Sequence, residues 1–80
     1  RAGYREKLIR AWQRPLLVAL EQKQIEPQNP RRTAEALVGA FDEMIFHLLA
    51  SSQGEREGQQ AVADMVQFGL RATGYLYRAE

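Results

Sequence analysis

Asn29-Pro30-Arg31-Arg32-Thr33-Ala34-Glu35-Ala36-Leu37-Val38-Gly39-Ala40-Phe41-Asp42-Glu43-Met44-Ile45 is the stretch on which the fold turns. It opens on a side chain that can accept from the orphan N–H groups of a helix start. A proline suited to the first helical position follows. Apolar residues then recur every third or fourth position, which predicts a helix from Pro30 to about Ala50. On a helical wheel Met44, Leu37, Leu48, Phe41, Ala34, Ile45, Val38 and Leu49 fall within a sector of about 140°. Phe46 lies outside it, beside Glu35, Asp42 and Glu43.

On either side of this helix, turn-forming residues at 24–30 and 51–58 divide the chain into three periodic stretches. The first predicts a helix from about Tyr4 to Lys23, with Tyr4, Leu8, Ala11, Trp12, Leu16, Ala19 and Leu20 on one face. Pro15 inside it implies a kink, or a break near Gln13-Arg14. The third helix should begin near Glu57, whose carboxylate suits the positive end of the helix dipole, and run to about Arg78. Its apolar residues, among them Phe68, Met65, Leu76, Val62, Val66 and Leu70, cover a sector of about 220°. Val, Ile and Thr total nine and are scattered, so strand signals are weak. The fold class is therefore all-α: three helices, the first kinked at Pro15.

Composition narrows the function. Eighty residues at 45% hydrophobic supply one small core. With no cysteine there is no disulfide framework, thiolate metal site or cysteine nucleophile. Eleven Lys and Arg against ten Asp and Glu leave a net charge of +1, far from a nucleic-acid footprint. No apolar run reaches membrane-spanning length and no basic-then-apolar leader appears, so the expectation is a soluble, cytoplasmic protein without membrane contact. The chain starts Arg1-Ala2-Gly3-Tyr4 without an initiator methionine and reads as a piece of a longer protein.

A helix apolar over most of its girth must be covered on two sides, and three helices offer the third too few neighbours. Leaving several large side chains wet forfeits several kcal/mol at about 25 cal/mol per Å² of apolar area. A twofold dimer in which the second and third helices pack on the same pair of another chain, a four-helix bundle, removes that loss. Small residues at Ala36, Gly39, Ala40, Ala61, Gly69 and Ala72 suit close helix approach.

The stretch from Thr33 to Ile45 and the later Ala61-Val62-Ala63-Asp64-Met65-Val66-Gln67-Phe68-Gly69-Leu70-Arg71-Ala72 resemble the last two helices of the TetR/AcrR family of bacterial transcriptional regulators. Val66 to Ala72 fits the final-helix pattern of two apolar residues, Gly-Leu and Ala, while Glu43 stands where the family often has glycine. The first helix and its Pro-containing exit resemble the helix that precedes this pair. The resemblance implies an N-terminal helix-turn-helix domain outside these 80 residues that reads an operator as a dimer, and a C-terminal domain that dimerises and binds a small apolar or amphipathic effector. The dimer would set the spacing of two recognition helices, and effector binding would bias a state with the wrong spacing.

On that reading the ligand-wall candidates are Trp12, Leu16, Phe41 and Phe46. The dimer-seam candidates are Met44, Leu48, Val62, Met65, Val66, Gly69, Thr73 and Leu76. By its place on the apolar face Trp12 reads first as a core residue, and its position beside the Pro15 kink is what makes it a ligand-wall candidate. His47, the single histidine, has Glu43 one turn away but no second ligand, and reads as an ordinary surface or interface residue. Asp42 and Glu43 diverge by about 100° on a helix and read as a solvated face rather than an acid–base pair. Arg31 and Arg32 could pair with Glu35 or with acids in a part of the protein outside these 80 residues. With no nucleophile–base pair, metal cluster or phosphate-cradling loop, the chain is not expected to be an enzyme or to carry a cofactor. The alternative is a free-standing helical module whose apolar stripe binds another protein's helix.

Overall fold

The computed structural model describes residues 2–51 and 54–75, which form three helices with no strand among them. Helix α1 spans Ala2–Glu21, α2 Pro30–Ala50 and α3 Glu55–Thr73.

The start of α2 follows from its sequence. Asn29 is extended, its side-chain oxygen accepts the Arg32 N–H at 2.9 Å, and Pro30 fills the first turn. Helix α1 runs unbroken through Pro15, so the break near Gln13-Arg14 does not occur. Both Pro15 and Ala11 lie on the wet side, where water can satisfy the Ala11 carbonyl that the proline leaves without a partner. The helix stops at Glu21, two residues before the expected Lys23, which takes a left-handed φ of 57°. There Gln24 N–H donates to the Ala19 carbonyl at 2.9 Å and Lys23 N–H to that of Leu20 at 3.1 Å, a Schellman closure built without glycine.

Helix α3 departs from the expected bounds at both ends. It begins at Glu55 because extended Gly54 serves as its cap, and both Glu55 and Glu57 sit in the first turn. It ends at Thr73 rather than Arg78. Gly74 turns left-handed at φ 72°, and Tyr75 N–H donates to the Leu70 carbonyl at 3.0 Å. Leu76 lies outside the described residues.

Among the described residues the buried apolar ones are Ile9 and Leu16 of α1, Ile25 of the connecting loop, and Ala34, Leu37 and Val38 of α2. The core therefore sits between α1 and the N-terminal half of α2, not between the two helices with the broadest apolar sectors. The single buried residue of α3 is Thr73. Helices α1 and α3 each pack on α2 and not on each other. The result is a layer 13 Å deep and 41 by 39 Å across, measured on Cα atoms. Its radius of gyration is 14.1 Å, against about 12 Å for a compact chain of this length.

Two polar assemblies hold this layer together. At one, the Thr73 carbonyl accepts from Glu26 N–H at 3.2 Å and from Gln28 Nε2 at 2.8 Å, while Gln28 Oε1 accepts the Thr33 hydroxyl at 2.7 Å. At the other, Arg31 grips both oxygens of Glu6 at 2.7 Å and also reaches Glu35 at 2.9 Å, while Arg10 meets Glu6 at 3.1 Å. The hydrogen bonds from Arg31 hold the Glu6 carboxyl down from 4.5 to about 2, against the opposing effect of its partial desolvation. Glu6 and Glu35 in turn raise Arg31.

Two outcomes follow for stability. A Cβ at Gly74 would collide with Glu26 Cγ in a backbone conformation that already disfavours one, so Gly74→Ala should cost at least about 1 kcal/mol in urea unfolding, with Lys23→Gly shifting the midpoint the other way. Glu6 is more acidic folded than unfolded, so its contribution is present above pH 4.5 and lost as pH falls towards about 2. Melting temperatures across that window should fall less steeply in Glu6→Gln than in the parent.

Candidate functional site

Because α1 and α3 flank α2 without meeting, the face of α2 between them becomes the floor of a groove of about 600 Å³. Leu37, Val38 and Phe41 form the floor. Tyr4, Leu8, Trp12 and Leu16 of α1 line one side, and Met65, Val66, Gly69, Leu70 and Thr73 of α3 the other. Asp42 and Ile45 lie at the rim. The Trp12 and Phe41 rings meet at a centroid distance of 5.1 Å and an angle of 57°, a tilted aromatic pair that joins the α1 wall to the floor.

Gly69 gives the groove its width on the α3 side. A Cβ there would stand 3.6 Å from Phe41 Cζ and 4.0 Å from Leu37 Cδ2, ordinary contact distances. A methyl fits, whereas a larger side chain must enter the groove.

The lining is almost wholly apolar. Its one carboxylate, Asp42, is paired with Arg5 at 3.2 Å, and the Thr73 hydroxyl donates back along its own helix to the Gly69 and Leu70 carbonyls at 3.0 and 3.2 Å. The other side-chain polar groups of the lining are the Tyr4 phenol, at the exposed end of α1, and the Trp12 indole N–H, both on the α1 flank. Such a surface selects by shape and apolar contact, with aromatic faces on one flank and a flexible thioether on the other.

The groove unites residues that sequence reasoning had placed on two separate surfaces. Trp12, Leu16 and Phe41, the expected ligand wall, share it with Met65, Val66, Gly69 and Thr73, expected at the seam. Phe46 is not part of it and stands 69% exposed on the far side of α2. Met44 and Leu48 are half-buried and Val62 is exposed, all outside the lining. Thr73 is taken up inside its own chain by the Gln28 assembly. His47, Asp42 and Glu43 are exposed, and among the described residues no three His, Asp or Glu gather as a metal-ligating group.

The sequence reading missed Glu6, Gln28 and Gly74. Glu6 and Arg10 stand four apart on a helix, a spacing that signals an ion pair, and Thr73-Gly74 at the close of a periodic run signals a helix stop. Gln28, whose partner is 45 residues away, carries no local signal. No family model, curated protein or solved structure matches this chain.

Gly69→Ala should stabilise the fold by about 0.5–1 kcal/mol, because alanine replaces a helix-interior glycine at ordinary contact distances, whereas Gly69→Leu should fill the groove and abolish binding of a neutral apolar fluorophore, with overpacking of about 1–3 kcal/mol where the leucine cannot be accommodated. Fluorescence titration and urea unfolding of the two variants check this.

Proposed function

We propose that this chain is the dimerisation and effector-sensing segment of a TetR-like transcriptional repressor. The observation that supports the reading best is the single layer of helices, which leaves one apolar face with an open groove. The resemblance of residues 33–45 and 61–72 to the family's last two helices points the same way.

In this reading the α2–α3 pair of one copy packs on the same pair of a second as a four-helix bundle. A kink at Pro15 sets the slope of the α1 wall. A small apolar or amphipathic effector lies against Trp12, Leu16 and Phe41, and DNA is touched only by a helix-turn-helix elsewhere in the protein. The working compartment is the cytoplasm. Among the described residues no helix is long and apolar enough to cross a membrane. The groove also suits the second reading, a module that receives another protein's helix, and a chain that stays monomeric would favour that reading.

Gel shifts with the intact gene product and the DNA beside its gene test the proposal. Trp12→Ala should keep the operator complex but change the effector concentration that releases it, because the change acts only through the effector's differential affinity. Val66→Asp should lose the complex, since an unpaired charge at the seam costs several kcal/mol and one half-site binds weakly. A Val66→Asp protein that still binds operator as a dimer overturns the assignment.

A further inference from the structure

We draw no further inference here: the strongest candidate, the open apolar groove between α1 and α3 with its floor on α2, carries nothing beyond the reading above because nothing in the structure shows what covers it.

Discussion

The Thr73 carbonyl is the point through which the third helix is fixed to the rest of the chain. It accepts from a backbone N–H and from a side-chain amide of the loop between α1 and α2, and the same amide group ties back to Glu26 and, through its oxygen, to Thr33. A buried carbonyl at a helix end needs such partners. The loop can supply them only when Gly74 turns the chain left-handed and leaves room for Glu26. The position of α3 on α2, and with it the existence of a groove, rests on this polar joint more than on apolar burial.

That ordering explains what could be read in advance. Periodicity located the three helices, and Asn29-Pro30 marked the start of α2 to the residue. These signals are local, and local chemistry fixes them. The ends of α1 and α3 were misjudged because the apolar pattern runs on past the point where the backbone turns. Lys23 closes a helix without the glycine that usually marks such a stop.

The core was harder to read than the helices. The wheels show how much apolar surface each helix carries but not which helix receives it. The breadth of the α2 and α3 sectors suggests a bundle between two chains, but it does not show that α1 shares the core of its own chain with α2. Glu6, gripped by Arg31 with both oxygens, draws α1 onto α2, and Ile9, Leu16, Leu37 and Val38 close behind it. The candidate site was legible residue by residue. Trp12, Phe41, Met65 and Gly69 all stood out, but their convergence on one groove depends on contacts between residues far apart in the sequence.

A helix that supplies one buried residue has a particular standing in the native ensemble. Local opening draws on the least buried unit first. Here that unit is α3, which can detach and leave the α1–α2 pair with its six-residue core intact. The burial pattern grades cooperativity along the chain: α1 and α2 share the core and open with the whole domain, whereas α3, with Thr73 as its one buried residue, is the unit whose opening to an unlatched state costs least. Whatever covers the exposed face of α3 draws population out of that state, so the C-terminal third of the chain would gain order on association while the N-terminal part gained almost none.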